Sequence, residues 1–149
     1  MADGSFKVSG LKELGERMRG LSVEMNTKIA RAATAAAAGV IRKRARANAP
    51  IADEDYVVEG TPVSKGNLPK QIVTKRRKDS ETALTSEHVV TVRGKRKYGY
   101  ASRIGVLQEF GTVKMAAQPF LRLAFDQGKE EAADAMKKRI AARIEKAGA

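Results

Sequence analysis

The sequence of 149 residues contains no cysteine, no tryptophan, a single histidine (His88) and few aromatic residues of any kind. Without cysteine the chain can form neither a disulfide nor a thiolate metal site. With one histidine, a histidine-rich metal site is excluded, and so is any nucleophile–histidine pair that does not use His88. The core must therefore be built mainly from alanine, valine, leucine, isoleucine and methionine.

Long apolar runs are also missing. No stretch of about 18 apolar residues is present, so the sequence predicts no membrane span. The N-terminal residues 1–8 lack the basic start and apolar stretch of a signal peptide. We therefore expect no membrane partner, and we expect the protein to stay in the cytoplasm where it is made until another component carries it elsewhere.

Positive charge is what the chain has in excess. Lysine and arginine number 29 against 17 acidic residues, which gives a formal net charge of +12. A surplus of this size favours a polyanionic partner, such as nucleic acid, an anionic membrane face or an acidic protein surface. The alternative is a basic surface that contacts only solvent.

The N-terminal third shows helical periodicity after a short strand or extended arm expected over Ser5–Ser9. A first helix is predicted by apolar residues at three- and four-residue steps, Leu11, Leu14, Met18 and Leu21. Ser22 is a suitable N-cap for a second, longer helix over about Val23–Ala47, which is rich in alanine, the best helix former. Pro50 ends that helix, because the residue before a proline avoids the helical conformation.

The middle of the chain reads as a loop followed by strands. Residues 51–65 hold four acids, Gly60 and Pro62, which predicts a flexible loop or an extended arm. Residues 72–76 and 87–93 have the β-branched composition of two strands, which would form a hairpin or meander. Residues 100–110 fit either a short helix or a third strand.

A last helix is predicted from Pro119 to the C-terminus, because proline suits the first position of a helix. The element order is therefore two helices, two to four strands and a long helix. This order is typical of an α+β fold with a small antiparallel sheet, and we predict one domain over residues 1–149.

No residue pattern supports catalysis. Asp53, Glu54 and Asp55 cluster on the predicted loop, without a partner base or metal-ligand spacing. His88 lies in a strand pattern, and residues 92–95 lack the glycines of a phosphate-binding loop. We therefore expect a protein that is not an enzyme and that binds no cofactor or metal.

Three basic runs are candidate contacts for DNA or for an acidic partner protein. Such runs bind phosphates without reading sequence, and no helix-turn-helix, zinc-finger or RNA-binding aromatic motif accompanies them. The alternative is that they are solvated turns and a helix end. The three runs are Arg42, Lys43, Arg44 and Arg46; Lys75, Arg76, Arg77 and Lys78; and Arg93, Lys95, Arg96 and Lys97.

The C-terminal third holds an ordered set of short motifs: an aromatic–alanine pair, Glu-Phe-Gly-Thr, and Ala-x-Pro-Phe-Leu before the last helix. Together they resemble the neck or tail-completion proteins of siphophages and related prophages, also described as head–tail joining or minor tail proteins. The long alanine-rich helix and Gly66-x-Leu68 are similar to that family as well. The motif residues are Tyr100, Ala101, Glu109, Phe110, Gly111, Thr112, Pro119, Phe120 and Leu121.

We expect these motif residues either to stabilise the fold or to form a subunit interface. Phe110 and Phe120 are two of only four phenylalanines, which makes them predicted core anchors. Gly111 would permit a turn that a side chain would block. The last helix would be capped by Thr112 or Gln118, and Glu109 would pair with an arginine, within the chain or across a subunit boundary.

The resemblance implies a structural virion protein at the head–tail junction, assembled in the host bacterial cytoplasm. It would form or join a homo-oligomeric ring, expected to be hexameric, and contact other neck, connector and tail proteins. Basic residues in the lumen would touch genomic DNA without sequence preference. The alternative function is a free nucleic-acid-binding protein that does not read sequence.

Overall fold

The computed structural model describes residues 9–79 and 85–147, and it confirms the predicted α+β class. Its α-helices are α1 Leu11–Met18, α2 Val23–Asn48, α3 Asn67–Gln71, α4 Ala101–Phe110 and α5 Phe120–Lys146. Its strands are β1 Tyr56–Val58, β2 Thr61–Val63, β3 Ile72–Arg76 and β4 His88–Val92, and a 3₁₀ helix spans Arg96–Tyr98. The strand or arm expected over Ser5–Ser9 lies outside the described residues, except for Ser9 in a turn before α1.

The start of α2 is fixed as the sequence predicts. The Ser22 hydroxyl accepts a hydrogen bond from the Met25 N–H at 3.3 Å, which satisfies one of the unpaired donors of the first turn. The Asn26 amide donates to the carbonyl oxygens of Met18 and Leu21, at 3.2 and 3.4 Å. The turn between α1 and α2 is therefore tied to the first turn of α2.

Helices α2 and α5 run antiparallel and form the spine of the molecule. The Asn48 amide donates to Gln127 at one end of this pair, and Ile29 packs near Ile144 at the other. Small residues let the two helices approach closely. A Cβ on Gly128 would lie only 2.7 Å from Cδ of Arg44, so a side chain there would force Arg44 to shift.

The predicted β-hairpin is confirmed. Strand β3 pairs antiparallel with β4, from Ile72 opposite Val92 to Arg76 opposite His88. The ribbon packs against α2, with Ile72 fully buried. The ambiguous stretch after Gly99 is a helix, α4, and not a third strand.

Residues 51–65, predicted as a loop or arm, contain a second hairpin. Strands β1 and β2 pair from Tyr56 opposite Val63 to Val58 opposite Thr61. The turn places Glu59 and Gly60 at φ 48° and 74°, as a tight turn with two left-handed residues requires. Each strand is only three residues long, and a proline in β2 weakens the strand signal, so the pattern gave no sign of this hairpin.

Two clusters of buried residues lie at opposite ends of the α2–α5 pair. The first, called the Phe120 cluster, consists of Ala45, Ala49, Leu68, Ile72, Ala101, Phe120 and Ala124. The second, called the Ile144 cluster, consists of Ile29, Ala33, Ile140 and Ile144, and half-buried residues of α1 pack against it. The Phe120 cluster is where α4, the ribbon and the start of α5 meet, so it positions the motif residues.

Candidate functional site

The Glu109 side chain joins the end of α4 to the beginning of α5. Its two carboxylate oxygens accept hydrogen bonds from the Leu121 and Arg122 N–H groups, at 2.8 and 3.0 Å. These are two of the donors that a helix leaves unpaired in its first turn, and the helix dipole favours a negative charge there. Glu109 is therefore the cap of α5, although it lies far from that helix in sequence.

One prediction about this corner is wrong, and the Glu109 side chain has partners that were not predicted. Neither Thr112 nor Gln118 caps α5; Pro119 occupies the N-cap position and makes no side-chain hydrogen bond. Within the described residues, Glu109 binds backbone N–H groups rather than an arginine of its own chain. An arginine contact from a neighbouring subunit stays a prediction.

Gly111 makes the turn that follows α4, as predicted. Its φ of 73° and ψ of −176° lie in a region that only glycine adopts readily. A Cβ there would lie 2.7 Å from the Ala117 nitrogen and 2.8 Å from the Met115 oxygen. The turn is closed by paired hydrogen bonds between the backbones of Thr112 and Met115, at 2.8 and 3.2 Å.

The two motif phenylalanines have opposite environments. Phe120 is 1% exposed, which confirms it as a core anchor, whereas Phe110 is 68% exposed, so its predicted core role is wrong. The reason is helical geometry. Helix α4 turns Ala101 and Gly105 towards the core, which places Phe110 on the opposite side.

An apolar surface runs along α4, and we call it the α4 stripe: Val106, Leu107 and Phe110. These residues are 56%, 41% and 68% exposed. Val106 and Leu107 each lie about one helical turn before Phe110, so the three side chains form one face. Val113, in the turn that follows, is fully exposed as well. Contiguous exposed apolar residues on a small protein commonly mark an interaction surface.

The remaining motif residues support this corner. Ala101 is fully buried, and Tyr100 before it has a left-handed backbone with φ 51°. Gly105 allows α4 to lie against the core, since a Cβ there would already contact Val92 and Leu68 at 3.4 and 3.5 Å. Leu121 is half-buried against the Phe120 cluster.

Two arginines of the first basic run bind within the protein. The Arg44 guanidinium donates two hydrogen bonds to Glu131 of α5, at 3.0 and 2.6 Å. The Arg46 guanidinium donates two to the Ile72 carbonyl oxygen of β3, at 3.0 and 2.8 Å. Glu131 compensates the charge of Arg44, whereas Arg46 keeps its charge while it ties α2 to β3.

The second and third basic runs lie at opposite ends of the β3–β4 ribbon. The second run surrounds the Arg76–His88 end, and Arg77 there forms an ion pair with Glu87 at 3.1 Å. The third run follows Val92 at the other end, roughly 15 Å away for strands of this length. The exposed lysines of the three runs are Lys43, Lys75, Lys78, Lys95 and Lys97. The second and third runs therefore do not merge into one basic surface.

Residues of the third run contact a neighbouring tyrosine and the β1–β2 hairpin. Arg93 and Lys97 each lie 5.0 Å from the centre of the Tyr98 ring, and Arg96 donates to the Thr61 hydroxyl at 3.0 Å. The hydrogen bond from Lys97 lowers the pKa of the Tyr98 phenol, and the surrounding positive charges act in the same direction. This turn thus contacts the β1–β2 hairpin.

The residues tested for catalysis have structural surroundings. The His88 ring bonds the Thr34 hydroxyl at 2.8 Å, which ties β4 to α2. Asp55 accepts a hydrogen bond from the Lys65 N–H at 2.8 Å and so closes the β1–β2 hairpin. Across residues 9–79 and 85–147, His, Asp and Glu form no group that could hold a metal ion. In the same ranges, no helix has the length and apolar character needed to cross a membrane.

The protein is thus an α+β protein in which Gly111 makes the turn between α4 and α5 and Glu109 caps α5. The α4 stripe is an exposed apolar face beside this turn. Comparison with protein families finds a match over residues 12–111, two thirds of the chain, to the HK97-gp10-like family, described as "Bacteriophage HK97-gp10, putative tail-component". The chain belongs to this family of structural phage tail components. No curated protein and no solved structure matched the chain.

Proposed function

We propose that the protein acts at the head–tail junction of a tailed phage, where its copies form or join a ring that completes the tail and connects it to the head. Family membership supports a structural role in the tail with other tail proteins as partners. Family membership does not extend to the head–tail position or to the expected six-fold symmetry of the ring, and these two points are what we propose.

The α4 stripe is the observation that carries the proposal. A single chain leaves Val106, Leu107 and Phe110 in contact with water, which costs free energy in proportion to the exposed apolar area. A neighbouring subunit or ring would cover them. The Gly111 turn and the Glu109 cap hold the end of α4 firmly, so the stripe is presented on a rigid support.

The test uses tails assembled without the protein. Negative-stain imaging and mass determination of the protein alone, and mixed with such tails, should show a ring or new density at the head-proximal end of the tail. Phe110→Asp should abolish this assembly. Val57→Asp is the matched control, because Val57 is equally exposed but lies in the β1–β2 hairpin. A wild-type protein that stays monomeric and ignores the tails would refute the proposal.

Non-specific nucleic-acid binding is the second candidate function, and the net charge of +12 favours it. It requires duplex DNA affinity of the isolated protein that falls steeply with salt. In the proposed ring, DNA contact is weak and confined to the lumen. Tight binding at moderate salt, weakened by Lys75→Gln with Lys78→Gln, would favour the second candidate.

A further inference from the structure

The segment that follows α2 is an acidic stretch of a basic chain. Residues 47–64 hold four acids and no lysine or arginine, although the chain has 29 residues of these two types. Two of the four acids are engaged by groups of their own chain. The other two, Asp53 and Glu54, are exposed. We call residues 51–55 the acidic loop, and its exposed carboxylates form a negative patch on a molecule whose net charge is +12.

A small pocket lies beside the acidic loop. Its volume is about 350 Å³, and Ile51, Tyr56 and Gln108 are among the residues that line it. The Gln108 Oε1 atom is buried and accepts no hydrogen bond from any residue that the structure describes. Because a buried acceptor without a donor costs free energy, a donor supplied from outside the chain would be stabilising here. Beside exposed carboxylates, a cationic donor fits best, and a lysine ammonium offers three N–H groups.

One end of the β3–β4 ribbon carries the opposite charge. Residues 75–78, the second basic run, lie there, and we call them the basic ribbon end. Its two lysines, Lys75 and Lys78, are exposed and line a shallow hollow of about 520 Å³. Val89 lines the same hollow, so that positive charge surrounds one apolar side chain. The acidic loop has the complementary composition, since its carboxylates follow Ile51, which is 65% exposed.

The two charged patches of one chain are too far apart to meet. The acidic loop follows the end of α2 at Asn48, whereas the basic ribbon end lies where Thr34 of α2 bonds the His88 ring. Fourteen residues of α2 separate these two positions, which is about 21 Å at the helical rise. Contact between the patches must therefore join two copies of the chain. Two different surfaces meet in such a contact, so it is heterologous, the kind from which closed rings are built.

We propose that the acidic loop and its pocket bind the basic ribbon end of a second copy of this chain. Lys75 and Lys78 of the second copy supply the donors. Asp53, Glu54 and the Gln108 Oε1 atom accept them, while Ile51 contacts the hollow on the ribbon. The inference rests on the proposed function in one respect, namely that copies of the chain meet one another. It is independent of the position of the ring in the virion.

Substitution of the charged residues tests the contact. Asp53→Lys with Glu54→Lys (the loop variant), and separately Lys75→Gln with Lys78→Gln (the ribbon variant), should each weaken self-association by at least about tenfold. Sedimentation velocity at low ionic strength measures the association, which should also weaken as salt is added. The ribbon variant lowers the net charge and with it the general repulsion between copies, so weaker association would report the lost contact.

The matched control for the ribbon variant is Lys138→Gln with Arg139→Gln. Both residues are exposed on α5, and the change in net charge is the same. This control should leave self-association unchanged, and circular dichroism checks that all variants fold. Wild-type association in the loop or ribbon variant, or an equal loss in the control, would overturn the inference.

Variants of Gln108 test the pocket itself. Gln108→Leu removes the buried acceptor and should weaken self-association several-fold. Gln108→Glu places a carboxylate where the lysine ammonium is expected, and it should strengthen self-association several-fold and make it more sensitive to salt. Association that is the same in both variants as in the wild type would remove the lysine from the pocket and overturn this part of the assignment.

A mixture of the loop and ribbon variants tests the heterologous geometry. The loop variant keeps a wild-type ribbon end, and the ribbon variant keeps a wild-type acidic loop, so one contact of the proposed kind can form between them. We expect a 1:1 dimer that grows no further. Failure to form this dimer, or growth beyond it, would overturn the inference. A wild-type protein that does not associate at low ionic strength would overturn it too, even if that protein still adds density to tails as the proposed function requires.

Discussion

The two buried clusters show how differently the two ends of one helix pair can be built. The Phe120 cluster takes residues from α2, α3, β3, α4 and α5, so that five elements meet around one phenylalanine. The Ile144 cluster takes its buried residues from α2 and α5 alone. Helix α1 covers it without a single buried residue of its own.

The two clusters differ in which elements hold them together. Around Phe120 every element is held by partners distant in sequence, so a local change disturbs several elements at once. Around Ile144 most contacts lie within the helix pair, and α1 is a half-exposed addition. We infer that the corner with the α4 stripe is the more stable part.

The largest expected effect separates the two ends directly. Phe120→Ala should lower the free energy of unfolding by about 3–5 kcal/mol, since it removes a fully buried aromatic ring. Leu14→Ala, at the half-buried face of α1, should cost about 1 kcal/mol, half the value for a buried leucine. Urea unfolding measures both. Equal losses would contradict the comparison, and Phe110→Ala is the exposed control.

A smaller effect is expected at the Gly111 turn. Gly111→Ala should destabilise the protein by about 1–3 kcal/mol, because alanine would adopt a glycine-only conformation against the Ala117 backbone. Gly39→Ala is the control, since Gly39 lies within α2 and a Cβ there meets open space. It should stabilise the protein by about 0.8–1 kcal/mol. Thermal unfolding of both variants should therefore shift in opposite directions.

The cap that Glu109 forms on α5 is expected to contribute less to the free energy of unfolding. Glu109→Ala should cost about 0.5–2 kcal/mol, as for other lost N-caps, and should raise hydrogen exchange in the first turn of α5. Glu59→Ala removes a glutamate of the β1–β2 turn, which pairs with Arg103 of α4 on the surface. It should cost at most about 1 kcal/mol and leave α5 protected. Unchanged exchange in Glu109→Ala would argue against the cap.

The smallest effect is expected for the ion pair on the helix spine. Glu131→Gln weakens the bond from Arg44 between the two clusters, where both side chains are partly exposed. We expect a loss of about 0.2–1 kcal/mol that shrinks as salt is added. Lys28 and Glu24, an exposed pair one turn apart on α2, provide the control through Glu24→Gln. A loss independent of salt would assign the effect to packing.

Periodicity and capping rules predicted the elements whose signals are local. The Ser22 cap, the alanine-rich α2, the β3–β4 hairpin and α5 all follow from residue patterns within each segment. The β1–β2 hairpin did not, because three-residue strands are too short to show alternation.

The candidate site was harder to predict because its contacts join residues that are far apart in the sequence. Glu109 lies next to a phenylalanine in sequence, but its partners are N–H groups twelve and thirteen residues later. The exposure of Phe110 depends on which face of α4 meets the core, and Ala101 and Gly105 decide this. An acid before a glycine turn, followed by a helix with proline at its N-cap, was the signal available in the sequence.

Arg44 and Arg46 have a mechanical consequence for α2. They are two residues apart, so they project about 200° apart around the helix axis. One guanidinium is bonded to α5 and the other to β3, each through two hydrogen bonds. If α2 rolled about its axis in either direction, at least one of these forks would have to open. The two guanidinium groups therefore oppose rotation of α2 relative to both the ribbon and α5.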